Sequence, residues 1–115
     1  MLATGIGTAA ADTYLGSYVA RISDQDHYAS DGYPLDTAAQ MVRQDRANWH
    51  QFGNTDAQDE NDSWFGSYQS RQWLERALNR GSAMNKATRR AIVNGEPLVQ
   101  VDVYKNSVKV TIVGY

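Results

Sequence analysis

The chain has 115 residues, 42% hydrophobic and 21% charged, with a net charge of −2, a balance that fits one globular domain with a single core. It has no cysteine, which excludes disulfides, thiol catalysis and cysteine-ligated zinc or iron–sulfur centres. No stretch approaches the roughly 20 apolar residues of a transmembrane helix, and the slightly negative balance argues against nucleic acid or an anionic membrane as a partner.

Residues 1–11, MLATGIGTAAA, are small, weakly apolar and uncharged. They look like the tail of a secretory signal ending in a small-residue cleavage site, so export to a periplasmic or extracellular space is expected. The alternative is a disordered tail. The remaining residues, 12–115, are expected to form one α+β domain.

Tyr14 to Ile22 alternates as a strand does. Tyr18, Ala20 and Ile22 share one face and Ser17, Val19 and Arg21 the other, with Gly16 weakening the early part. Ser23 to Pro34 reads as a loop, rich in aspartate, serine, glycine and proline. His27, Tyr28 and Tyr33 are its uncommon members: such residues either serve a site or pin the loop to the core.

The longest helical pattern is Leu35 to Phe52, LDTAAQMVRQDRANWHQF. Leu35, Ala38, Ala39, Val42, Trp49 and Phe52 fall on one stripe at three- and four-residue steps. Pro34 suits the entrance, Asp36 or Thr37 can cap the first turn, and Gly53 suits the exit. Asp45 and Arg46 interrupt the stripe, and Arg43, Arg46 and His50 line up along one side. That row either borders a cleft or lays arginine methylenes on the core rim with the charge in water.

Gly53 to Gly66 is a second loop, in which Asp56, Asp59, Glu60 and Asp62 place four carboxylates within seven residues. Trp64 and Phe65 read as anchors returning the chain to the core. A second helix is expected from Ser67 to Arg80, with Ser70, Leu74, Ala77 and Leu78 buried, Trp73 beside them and Gly81 at its end. A third, from Asn85 to Asn94, turns Ala91 and Ile92 inward. Pro97 to Gly114 is a β-hairpin: Val99, Val101 and Val103 alternate, as do Val108, Val110 and Ile112. Its turn is Lys105-Asn106-Ser107, with Asn106 expected at positive φ. The expected architecture is therefore a small antiparallel sheet, the N-terminal strand plus the C-terminal hairpin, packed against about three helices.

No local motif for a nucleotide, a serine nucleophile or a zinc protease is present. The two histidines, His27 and His50, together with Asp24 or Asp26, would form an acid–base pair or two-histidine metal site only if the loops converge. Asp56, Asp59, Glu60 and Asp62 are oxygen ligands of the kind calcium takes, but their spacing is not that of an EF-hand. The leading expectation is a non-catalytic binding domain without a cofactor. Its partner is expected to be another protein, met through Tyr28, Tyr33, Arg43, Arg46, His50 and Trp64. The alternative is a metal-assisted hydrolase built on His27, His50 and the loop aspartates.

Overall fold

The structure is a computed structural model and describes residues 12–115. The expected signal remnant at 1–11 lies outside the described residues. The order of elements is β1 (Tyr14–Arg21), a 3-10 turn (Asp24–His27), α1 (Ala38–Ala47), a π-helical turn (Asn48–Phe52), α2 (Tyr68–Leu78), α3 (Lys86–Asn94), β2 (Leu98–Tyr104) and β3 (Val108–Gly114). The fold is α+β, as expected.

The three strands form one antiparallel sheet in the order β1-β2-β3. Because strand side chains alternate, the register puts Tyr18, Val101 and Val110 side by side on one face, with Ala20 and Val99 next to them. These five are buried, and Phe65, Leu74, Leu78 and Ile92 close over them from the helical side. On the other face Lys109, Thr111 and Val113 are exposed. The hairpin alone would be marginal; β1 completes the sheet and the helices cover one side of it.

The helix boundaries follow the caps. Thr37 Oγ1 accepts from Gln40 N at 3.2 Å, and Gln40 Oε1 accepts from Thr37 N at 3.1 Å and Asp36 N at 2.9 Å. This reciprocal capping box holds Leu35 and Asp36 outside the helix, three residues later than the apolar stripe suggested. Ser67 and Ser70 do the same for α2, so Ser70 belongs to a cap and Arg71 takes the buried position beside Leu74. The helix also stops at Leu78, short of Gly81. The hairpin turn differs from expectation too. No non-glycine residue has positive φ among the described residues. The turn is closed instead by Tyr104 N donating to Ser107 O at 2.9 Å, and by Asp12, which accepts from Asn106 N at 2.9 Å and from the Ser107 hydroxyl.

Of the expected 18-residue helix, the ten residues Ala38–Ala47 are α-helical and the last five widen into a π turn. Gly53 ends it at φ 68°, a left-handed conformation that glycine adopts freely, with its N–H bonded to Asn48 O. Phe52 is therefore turned outward and half exposed instead of joining the stripe.

At Gly16 the glycine is required by a neighbour. A Cβ there would lie 2.8 Å from Trp64 Cη2, and φ is +152°. Trp64 thus packs against β1 where a side chain would otherwise stand. Replacing Gly16 with alanine must displace the indole and strain the backbone. The expected loss is about 1–3 kcal/mol, the usual cost of overpacking a filled site. Urea unfolding followed by tryptophan fluorescence would measure it; an unchanged midpoint would contradict this packing.

Candidate functional site

The charged interruption of the central helix turns inward. Arg46 is fully buried. Its Nε donates to Asp45 at 2.8 Å and its Nη1 donates to Asp62 Oδ2 and to Glu60 O, both at 2.9 Å. The guanidinium lies over the Tyr18 ring at 4.1 Å and near the Trp49 ring at 5.3 Å. Neither Arg46 Nη2 nor the Tyr18 hydroxyl has a hydrogen-bond partner among the described residues; the ring contacts offset part of that cost. Arg46 accordingly cannot sit on a contact surface, and its charge does not reach water as a rim arginine's would.

Asp62 is the counterpart. Oδ2 accepts from Arg46 and from His50 Nε2 at 2.7 Å, and Oδ1 accepts from the Trp64 and Phe65 amides at 2.8 and 2.7 Å. Burial alone would push this carboxyl up, yet His50, Arg46 and the two amides hold it below the ordinary carboxylate value. Asp62 is thus the ionised partner of Arg46. Burial pushes Asp45, by contrast, well above the ordinary value, with Arg46 opposing.

The other loop acids are engaged by backbone and hydroxyl donors of β1 and the residues after it. Glu60 Oε1 accepts from Val19 N and Asp59 Oδ1 from Arg21 N, each at 2.8 Å, while Glu60 N donates to Val19 O at 2.8 Å. These three bonds satisfy the outer edge of β1 as a fourth strand would. Asp56 Oδ2 takes the Ser23 hydroxyl at 2.7 Å. The run Asp56, Asp59, Glu60 and Asp62 therefore works as a strap across β1. Among the described residues no group of three or more histidine, cysteine or acidic side chains is arranged to hold a metal.

The two imidazoles stand apart in their bonding. Both nitrogens of His27 face backbone carbonyls, Ser23 O at 2.8 Å and Ile92 O at 2.9 Å. Carbonyls only accept, so both bonds form only when both nitrogens carry protons. His27 ties the first loop to α3 near its C-terminus, beside a small groove that it shares with Asp24. His50 bonds to Asp62 and shares no partner with His27. Asp26 is buried and accepts from Asn48 Nδ2 at 2.8 Å and Ser23 N at 3.0 Å. The four residues His27, His50, Asp24 and Asp26 are not brought to one point.

The π turn is the element that sequence reasoning missed. Four of its side chains reach three neighbours: Asn48 to Asp26, Trp49 to Asn61 and His50 to Asp62 on the strap, and Gln51 to Arg71 on α2. A π turn is rare and often marks a site, but no periodicity in the sequence distinguishes it from α-helix.

What faces water is a groove of about 390 Å³ between α1, α2 and the loop after the 3-10 turn. Gln40, Arg43, Gln44, Gln51, Tyr68 and Arg71 line it, with Glu75 and Ser30. A smaller groove of about 220 Å³ continues past Ser30 and Gln44 to Tyr28 and Phe52. Tyr28, Tyr33, Phe52 and Tyr68 are exposed, Tyr33 by 73%. Arg43 is half-buried, over the Tyr68 ring at 5.1 Å and paired with Glu75 at 2.9 Å. Trp64 is packed on the core. Tyr28, Tyr33 and Arg43 thus reach the surface, whereas Arg46 and Trp64 serve the interior and His50 is largely covered. Among the described residues no helix is long and apolar enough to cross a membrane. No protein-family model matches this chain, and no characterised protein or solved structure matches it.

Removing the charge of Asp62 leaves Arg46 buried without its ionised partner. Asp62→Asn is expected to cost about 3–5 kcal/mol, the range for breaking a buried pair. Urea denaturation would measure it, and a loss under about 1 kcal/mol would mean the pair is not the anchor described.

Stability should also depend on pH through Asp26. Burial pushes this carboxyl from 3.8 up to about 6, against the bonds from Asn48 and Ser23 and with Asp56 and Asp59 adding to the rise. The folded state therefore holds this proton more tightly than the unfolded chain. The contribution is complete below about pH 4 and is lost as pH rises through about 6, on the order of 2–3 kcal/mol at 1.36 kcal/mol per unit. Asp45 and Asp59 act with the same sign. The urea midpoint should fall between pH 4 and pH 7, and Asp26→Asn should flatten part of that slope. A midpoint that rises over this interval would contradict the assignment.

Proposed function

We propose that this protein is a non-catalytic binding module whose partner is another protein, taken as an extended segment along α1. The observation that carries this reading is the paired groove beside α1, polar along its floor and edged by exposed rings. Gln40 and Gln44 stand one turn apart on α1, and Gln51 follows on the π turn. Gln40 Nε2, Gln44 Oε1 and Gln51 Nε2 have no partner among the described residues, their other amide atoms being engaged. Carboxamides offer both a donor and an acceptor, the complement of a peptide group. From Gln40 to Gln51 is about 16 Å along a helix axis, the reach of about five extended residues. Tyr28, Phe52 and Tyr68 supply the rings that commonly anchor such contacts.

The competing reading is a metal-assisted hydrolase. The 2.7 Å contact between His50 and Asp62 favours it. Against it, the same carboxylate is engaged by Arg46 and two backbone amides, so its chemistry is structural.

Tyr28→Ala with Tyr33→Ala removes two exposed rings that make no core contact. The double variant should keep the wild-type urea midpoint within about 0.5 kcal/mol, as surface changes do. In cross-linked capture from a lysate it should lose the partner band. A wild-type capture profile from the folded double variant would overturn the assignment of this face.

A further inference from the structure

The groove beside α1 is electrically unbalanced at one end. Arg43 and Arg71 both line it, and among the described residues Glu75 is the only carboxylate that does. Arg43 commits Nη1 to Glu75 at 2.9 Å. Arg71, 5% exposed, commits Nη1 to Phe65 O at 3.0 Å and shares Nη2 with Gln51 at a long 3.3 Å. Burial, and after it the Arg43 charge, pulls Arg71 below the ordinary guanidinium value, opposed by the charge of Asp62, whose own hydrogen bonds go to Arg46 and His50 and not to Arg71. The two cations thus repel each other inside a partly desolvated groove, and one acid cannot neutralise both.

We propose that the Arg43–Arg71 end of the groove seats a carboxylate of the bound segment, from an acidic side chain or a chain terminus. The inference rests on the peptide-binding reading above and adds the ligand's chemistry to it. Two guanidinium forks retain unused N–H groups there, and such forks match a carboxylate's two oxygens. Two guanidiniums against one glutamate leave a single positive charge. That suits a singly charged carboxylate better than a phosphate dianion, which Glu75 would repel. The Gln51 amide beside Arg71 offers a neutral donor next to the seat.

A random heptapeptide library tests this in two formats, one with free C-terminal carboxylates and one with amidated ends. Wild-type protein should enrich peptides that carry aspartate, glutamate or a free terminus. The format in which enrichment appears tells a side-chain carboxylate from a terminal one. Arg43→Gln, a half-exposed change, should keep the urea midpoint and bind the enriched peptides about tenfold more weakly, equivalent to about 1.4 kcal/mol. Arg71→Gln should weaken them at least as much. Enriched peptides without any carboxylate, or undiminished binding by Arg43→Gln, would overturn the carboxylate seat alone. A library that enriches nothing would overturn the peptide reading as well.

Discussion

A single buried arginine organises this fold. Arg46 enters the core from α1, lies across Tyr18 of the sheet and meets Asp62 from a distant loop. Helix, sheet and loop are thereby joined at one guanidinium. A charge taken out of water must be matched by a partner and by hydrogen bonds, and here the match arrives from residues 14 and 16 positions further along. The geometry of the Gly53–Gly66 loop follows from that demand. Once Asp62 is bound, Trp64 and Phe65 are held by their amides on the same carboxylate, and Trp64 comes to rest on Gly16.

The same constraint explains where the acids go. A run of four carboxylates looks like a cation site or a solvated surface, yet here it closes the edge of β1. Val19 and Arg21 present amides outward, and Asp59 and Glu60 meet them. An open edge strand invites pairing with other chains, and capping it with carboxylates prevents that without adding a strand. The acids are drawn inward with it, and burial raises Asp26, Asp45 and Asp59, which disfavours their charged forms. The surface beside α1 is left comparatively rich in amides and guanidiniums, and the binding reading follows from that division of labour.

Much of the architecture was legible from side-chain period. Tyr18, Ala20 and Ile22 were expected on one face and are buried, and the valines of the hairpin behave the same way. Ser67 and Asn85 cap helices near where composition placed their starts. The boundary errors have a common cause: caps and turns depend on single hydrogen bonds, such as Gln40 to Thr37 or Asp12 to Asn106, which leave no periodic trace. The candidate site was less legible. Tyr28, Tyr33 and Arg43 were singled out and reach the surface. Gln40, Gln44 and Gln51 were not, because glutamine on a helix is ordinary until a groove forms over it.

The amino-acid sequence determined the α+β class, the strand faces, the absence of cysteine chemistry and the concentration of acids in two loops. These are consequences of local period and composition, and each can be read within a window of a few residues. Tertiary structure decided the direction of every charge. Arg46 and Arg43 lie three apart on one helix, yet one is buried against Tyr18 and the other lines a groove. Period cannot separate them, because the difference lies in what packs opposite. Whether a charge is desolvated is a property of the assembled neighbours, here a strand, a π turn and a loop that meet only after folding.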